Sequence, residues 1–482
     1  MNQLQTPLFD ALENFYKQNK VSYHVPGHKN GKIFLDKAKS LYEPLLSIDA
    51  TELSGLDDLH APEGPIREAE LLLADLYGAN KSYFLVNGST VGNLAMILAA
   101  CGEGDTVLVQ RNCHKSVLHG LMLANAKPVF LAPSYYEEWE VAGGVNSKIV
   151  SEALALYPNT KAMILTYPNY YGLAQDLTDV IAIAHEKKIP VLVDEAHGAH
   201  FTLGSPFPKS SLDMGADVVV HSAHKTLPAM TMGSYLHVNS FLVDVNRVKF
   251  YLQMLQSSSP SYPIMGSLDI ARDYLASYSQ DDQVALIKEL SHFKVCLSSI
   301  SEIEVLEPPE DVWIDPLKIS IRSKCGLSGY ELQALLEEKG IYSELADPQN
   351  VLFVLPLLKK GDSYPFDKTA TLIHSAVKDK WNKQNNNESN CKWVETEKIT
   401  TLSLPYSKMK QAEVKQVPFC EAIGKISGEM VIPYPPGIPL IMSGEKITAE
   451  KISTLESLLS LHSRFHGGTA LANRKLVVYE ED

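Results

Sequence analysis

Between about residue 65 and residue 240, helical periodicity alternates with short apolar runs bounded by turn residues. That alternation is the pattern of strands buried on both faces of a mainly parallel sheet, with helices packed against it. Five runs stand out, at residues 82–86, 106–109, 128–131, 162–165 and 190–193, and residues 217–220 read as a sixth. The spacing predicts an α/β large domain. In open α/β sheets, ligands gather outside the carboxyl ends of the strands. Four segments follow the runs and are the first candidates for chemistry: 87–93, 111–116, 194–200 and 221–226.

Past residue 310 the pattern starts again. DPLKISI (315–321), a helix-like stretch at 329–339 and an apolar run at 351–355 predict a second, smaller α/β unit, with PPED marking the boundary before it. KQNNNESNCK (383–392) is polar and low in complexity, so it reads as a solvated linker before a third unit. A chain of 482 residues exceeds what one core usually organises. The predicted division is an arm over 1–64, a large domain over 65–310, a small α/β domain over 311–382 and a C-terminal domain over 393–482.

Composition narrows the class. With 45% apolar and 21% charged residues the chain is of ordinary globular type. A formal charge of −14 argues against a nucleic-acid or anionic-membrane partner and favours attraction of cationic small molecules. The six cysteines form no CxxC pair and read as reduced thiols. The first twenty residues lack an apolar h-region and no apolar run reaches membrane-spanning length, which points to the cytoplasm.

Three strand ends carry the candidate chemistry. VNGSTVGN (86–93) joins a strand to an apolar helix, so N–H groups and the hydroxyls of Ser89 and Thr90 face a phosphate-binding position. The bland alternative is a capped turn. PVLVDEAHGAH (190–200) ends a buried strand on Asp194, an ion that needs a partner there. DEAH also occurs in helicases, but the GxxxxGK[ST] loop they require is missing from this sequence. ADVVVHSAHKT (216–226) sets Ser222, His224 and Lys225 at the third strand end, where a partly desolvated lysine becomes a nucleophilic amine. The alternative for Lys225 is a solvated surface cation. The pairs His197/His200, His221/His224 and His24/His28 raise a metal site, yet no spacing nominates a definite acidic or thiolate ligand, so none is assigned.

Phosphate loop, strand-end Asp194 and, 31 positions later, strand-end Lys225 resemble a fold-type-I pyridoxal-phosphate enzyme. RNCHKS (111–116), HSAHKT (221–226), HVPGHKNG (24–31), LDDLHAPEG (56–64) and YPPGIPLIMSGE (434–445) bring the resemblance closer, to the Orn/Lys/Arg decarboxylase family, over nearly the whole chain. The resemblance implies that Lys225 forms the cofactor imine and that Asp194 keeps the pyridine nitrogen protonated. Ser89, Thr90 and Ser222 would hold the phosphate, with His114 stacked on the ring and His224 beside the imine. It also implies that Lys225 or His224 returns a proton to the α-carbon after a basic L-amino acid (lysine, arginine or ornithine) loses carbon dioxide.

His197 stands where some members have Trp, beside the pyridine. Glu344 is the leading carboxylate for the distal cation of the substrate, with Asp57, Asp58 and Asp347 as alternatives. SSSPSYPIMGSLD (257–269) resembles the segment that crosses to a neighbour's phosphate, with Ser258 foremost, which implies a homodimer or higher homo-oligomer. Ala223 replaces a hydroxyl residue of some members. The layout, without the N-terminal wing of the large enterobacterial members, is similar to the short Gram-positive decarboxylases. Competing readings are an aminotransferase using Arg322 for the substrate carboxylate, a metal-dependent hydrolase using the histidine pairs, and a cofactor-binding protein without turnover.

Overall fold

The computed structural model describes residues 1–18, 20–378, 380, 397–433, 438–461 and 463–480. The linker expected at 383–392 lies outside the described residues, as do the first four residues of YPPGIPLIMSGE. The chain divides into two compact units, each made of two stretches: Met1–Ala100 with Asp176–Ser279, and Cys101–Gln175 with Gln280–Asp482. Among the described residues no helix is long and apolar enough to cross a membrane.

The elements that position the site are, in chain order, α1 (Pro65–Tyr77), β1 (Lys81–Leu85), α2 (Gly88–Ala100), β2 (Thr106–Gln110), α3 (Lys115–Ala124), β3 (Lys127–Leu131), β4 (Thr160–Thr166), β5 (Val191–Asp194), β6 (Val218–His221) and β7 (Ser234–Val238). They are followed by α4 (Gln280–Ser298), β8 (Ile303–Val305), β9 (Lys318–Ser323), α5 (Gly329–Glu338), β10 (Leu345–Ala346), β11 (Asn350–Val354), α6 (Phe366–Val377), β12 (Ile399–Thr401) and α7 (Ala449–Ser460). All six apolar runs are strands, and the second α/β pattern becomes β9, α5 and β11.

In the first unit the strand order is β1-β7-β6-β5. β5 and β6 run parallel, whereas β7 is antiparallel to both β6 and β1. Every residue of β5, β6 and β7 is buried. α2 can lie close to this sheet because Gly92 faces it: a Cβ there would sit 2.8 Å from Leu85 Cδ1 and 2.8 Å from Val220 Cγ1. α1 begins at Pro65 and is capped by a distant acid. The Asp57 carboxylate accepts from the backbone N–H groups of Glu63, Gly64, Ile66 and Arg67, which satisfies the orphan donors of the helix start. Gly78, at φ +64°, ends it in the left-handed conformation that glycine adopts without strain.

In the second unit the order β4-β2-β3-β12 holds parallel β4, β2 and β3 with β12 antiparallel at one side. A separate antiparallel sheet has the order β8-β9-β11-β10. α5 starts on a reciprocal capping box between Ser328 and Glu331. A further core gathers Phe419, Val431, Leu440, Ile441, Leu455, Leu476 and Val478.

Candidate active site

The first unit collects most of the expected residues at neighbouring strand ends. α2 starts at Gly88, at φ +74°, so Ser89 and Thr90 occupy its first turn beside unsatisfied N–H groups. Ser222 Oγ donates to Ser89 Oγ at 2.7 Å, joining the turn after β6 to that helix start. Lys225 follows on the short helix Ala223–Thr226, its N–H bonded to Ser222 O at 3.0 Å. Its Nζ is 3.0 Å from His197 Nε2, so His197 holds the amine rather than merely packing near it. His224 is fixed through Nδ1, which donates to Gly233 O at 3.0 Å.

Asp194 is buried at the end of β5. It accepts from Asn93 Nδ2 at 2.8 Å and from Ala196 N at 3.3 Å. Both donors are neutral, so among the described residues this buried anion has no ion-pair partner, an arrangement that favours a ligand bringing a positive charge. Thr226 Oγ1, buried one residue beyond Lys225, has no hydrogen-bond partner among the described residues. An anion site, a buried carboxylate awaiting a cation, and a held lysine amine fit pyridoxal phosphate: its phosphate, its ring nitrogen and its aldehyde carbon are matched in turn.

Behind these residues runs a buried chain of hydrogen bonds that sequence reasoning did not find. Ser82 on β1 lies opposite His237 on β7, and Ser82 Oγ is 2.7 Å from His237 Nδ1. His237 Nε2 is 3.1 Å from His221 Nδ1, and His221 Nε2 is 3.1 Å from Glu195 Oε1. Glu195 also accepts from Ser210 Oγ at 3.1 Å, from Ser211 N at 2.8 Å and from Ser211 Oγ. Burial, helped by the adjacent His221, pushes His237 well below the ordinary imidazole range, so it is neutral. With Glu195 ionised, the chain is satisfied in either direction: Ser82 donates to His237, His237 to His221 and His221 to Glu195, or a protonated His221 donates to both Glu195 and His237, and His237 to Ser82. Tyr77 covers it, with its ring 4.4 Å from His237 and its hydroxyl donating to Ala199 O at 2.6 Å. The chain links four neighbouring strands, three of which lead at their carboxyl ends to Ser89, Asp194, Ser222 and Lys225.

The remaining candidates of this unit are Ser258, expected to reach a neighbouring chain's phosphate, and the acids Asp57 and Asp58. Ser258 is exposed in a serine-rich turn, and among the described residues no hydrogen bond links it to Ser89 or Ser222. Asp57 is committed to capping α1, and Asp58 Oδ1 accepts from His60 N at 2.8 Å. Of the paired histidines, His221 turns to Glu195 and His237, while His197 turns to Lys225.

The second unit carries the remaining candidates. His114 is the N-cap of α3 and accepts from Ser116 N through Nδ1, with Ser116 Oγ 2.8 Å from the same atom. Arg111, fully buried, donates to Pro439 O and Leu440 O and pairs with Glu445 at 3.1 Å. RNCHKS and the end of YPPGIPLIMSGE are therefore one structural feature. Burial opposes ionisation of Glu445, but Arg111 and Lys451 outweigh it and hold the carboxyl below the usual range.

Glu344 is exposed, whereas Asp347 lines a cavity of about 140 Å³ with Asn112, Thr166, Tyr171, Tyr330 and Leu440. Asp347 accepts from Tyr171 OH, Gln349 N and Asn350 Nδ2. Asn112 Oδ1 and Thr166 Oγ1, also on that wall, are buried acceptors with no donor among the described residues. Arg322, the alternative carboxylate ligand, donates to Asn350 Oδ1 and Trp139 O.

The chain is similar to known proteins over nearly its whole length. The chain is 49% identical to an uncharacterized protein YaaO of Bacillus subtilis, over 99% of both chains. It is 33% identical to an arginine decarboxylase of Bacillus subtilis, over 94% of this chain and 93% of that one. Its fold superposes on the constitutive lysine decarboxylase of Escherichia coli with a TM-score of 0.81 at 20% identity, covering 99% of this chain and 82% of the other. The expected α/β architecture of fold type I is thus the observed one. The model of the Orn/Lys/Arg decarboxylase major domain matches residues 6–315 and that of the C-terminal domain residues 388–467. The chain belongs to the Orn/Lys/Arg decarboxylase family.

Proposed function

We propose that this protein is a pyridoxal-phosphate-dependent decarboxylase of basic L-amino acids, with arginine as the preferred substrate. The observation that carries the reading is the first unit's strand-end group: Lys225 Nζ at 3.0 Å from His197, with buried Asp194 and the Ser89–Ser222 anion site on the same framework. When bound, the cofactor supplies an electron sink for the pair left behind by the departing carboxylate. Lys225 anchors it covalently, and Ser89, Thr90, Ser222 and the start of α2 bind its phosphate. Asp194 would hold the proton on the ring nitrogen, and His197 would orient the Lys225 amine. Lys225 or His224 delivers the proton that replaces the lost carboxylate.

Arginine is favoured by the cavity of the second unit. A guanidinium presents five N–H donors in a plane. The walls offer the orphan acceptors Asn112 Oδ1 and Thr166 Oγ1, the Asp347 carboxylate, and the flat rings of Tyr171 and Tyr330. The relative named an arginine decarboxylase supports the same choice. The product amine would feed polyamine synthesis, and the enzyme would work in the cytoplasm as a homodimer. For the dimer, support comes from the arm: Val21, Tyr23, Val25, Ile33, Leu35 and Leu41 are all large, apolar and exposed, which is unusual for a monomer surface.

Purified protein, supplied separately with carboxyl-labelled arginine, lysine and ornithine, should release labelled carbon dioxide, most from arginine, with no keto acid. Keto acid without carbon dioxide would establish the aminotransferase instead. Lys225→Ala should remove both the visible absorbance of the cofactor and turnover. Light scattering of an active monomer would rule out the dimer.

A further inference from the structure

The second unit holds a group of side chains that the reaction above does not use. His292 and Cys296 are one helical turn apart on α4, and Asp367 lies in the first turn of α6. His292 Nε2 is 2.7 Å from Asp367 Oδ1, while Cys296 Sγ is 3.6 Å from His292 Nε2 and 3.8 Å from Asp367 Oδ1. We propose that these three residues bind a zinc-like divalent cation that cross-links α4 to α6.

The spacing is the first argument. Tetrahedral bonds of about 2.05 Å to nitrogen, 2.3 Å to sulfur and 2.0 Å to oxygen place ligand atoms about 3.5 Å apart where sulfur is involved, and about 3.3 Å apart for nitrogen and oxygen. Both sulfur spacings in the protein agree with this to within about 0.3 Å. The nitrogen–oxygen separation is shorter because a hydrogen bond spans it. A cation replacing that proton would open it by about 0.6 Å, which the exposed Asp367 side chain can accommodate by a small rotation.

Preorganisation is the second. Phe293 and Phe366, the sequence neighbours of His292 and Asp367, are buried and stacked with centroids 4.8 Å apart and planes at 27°. The backbones that carry the ligands from the two helices are therefore pinned together by an aromatic pair, and the i, i+4 spacing puts His292 and Cys296 on one face of α4.

The donor set names the ion. One thiolate, one imidazole and one carboxylate suit zinc or cobalt, not magnesium or calcium, which take oxygen ligands. Binding releases the thiol proton to solvent and moves the His292 proton from Nε2 to Nδ1, leaving a dianionic ligand set that neutralises the cation. A water molecule would complete four-coordination.

The test is titration of cobalt(II) into reduced, tag-free full-length protein. One equivalent should give a thiolate-to-cobalt charge-transfer band that zinc then bleaches, and zinc should raise the melting temperature. Cys296→Ser should lose the band and the zinc-dependent rise while keeping decarboxylase turnover, and His292→Ala should weaken cobalt binding at least tenfold. No charge-transfer band in the wild-type protein, or the same band in Cys296→Ser, would overturn the proposal. The cobalt band and the zinc-dependent rise in melting temperature do not depend on the decarboxylase reading.

Discussion

Glu195 offers the sharpest test of the buried hydrogen-bond chain, because two substitutions at one position should behave very differently. Glu195→Ala strands the N–H of Ser211 and the Nε2–H of His221, two fixed donors that now face no acceptor, while the serine hydroxyls can turn elsewhere. Each stranded donor costs about 1–3 kcal/mol, so the expected loss is about 4 kcal/mol. Glu195→Gln keeps the shape, and the chain can then run backwards. The amide would donate to His221 Nε2, His221 Nδ1 to His237 Nε2, and His237 Nδ1 to Ser82 Oγ, which accepts as readily as it donates. Only the charge-assisted part is lost, about 1 kcal/mol.

For a unit of about 200 residues, 1 kcal/mol moves the melting temperature by about 2–4 °C. Calorimetry should therefore show a fall of roughly 8–16 °C for Glu195→Ala and roughly 2–4 °C for Glu195→Gln. The backbone N–H of Glu195 bonds Val220 O, and Ser222 N bonds Ala196 O, so the alanine variant should also shift the cofactor's visible band and loosen its binding. Equal losses for the two variants would mean that the chain cannot reverse its direction. A loss below about 1 kcal/mol for alanine would mean that it holds nothing in place.

Other consequences can be checked with single variants. Asp347→Asn should raise KM for arginine at least tenfold with a smaller change in kcat, whereas Glu344→Gln, on an exposed side chain, should change neither by more than about twofold; the reverse order would restore Glu344 as the distal carboxylate. Gly92→Ala forces a methyl against Leu85 and Val220 and should cost about 1–3 kcal/mol while weakening cofactor binding through α2, and unchanged binding would separate α2 from the phosphate site.

Burial pushes Glu70 up to about 7, only partly offset by Lys81 at 3.6 Å. The folded protein therefore holds this proton over a range, about 4.5 to 7, where the unfolded chain has lost it, so stability falls by up to about 3 kcal/mol as pH rises through that window and is level above it. Glu70→Gln should flatten that slope in urea midpoints taken from pH 5 to 8, and parallel slopes in both proteins would assign the effect elsewhere.

The strands Val191–Asp194 and Val218–His221 were legible, to within a residue, because a strand buried on both faces shows an apolar run such as 191–193 or 218–220. Asp194 and Lys225 were legible for the converse reason, since polar groups at the ends of such runs need partners. β7, SYLHV, was not foreseen. Ser234 and His237 break its apolar character, although all five of its residues are buried. β12 is only three residues long and gives too little pattern to read.

The missed strand and the missed hydrogen-bond chain are one omission. His237 disguises β7 because it is the chain's middle link, and its partner His221 was read as part of HSAHKT and of a possible metal pair with His224 rather than as the last residue of a buried strand. Glu195 was hidden by its neighbour. Successive side chains at a strand end point to opposite faces, so Asp194 meets Asn93 on one side while Glu195 meets His221 on the other. Which acid faces which partner depends on what lies across the sheet. Replacing a buried ionic group by well-packed apolar residues is often neutral or stabilising. A buried carboxylate joined to two imidazoles therefore gains little in stability over such a core; what it adds is direction. Each link ties adjacent strands together, and three of those strands lead to the serines, the aspartate and the lysine proposed to hold the cofactor.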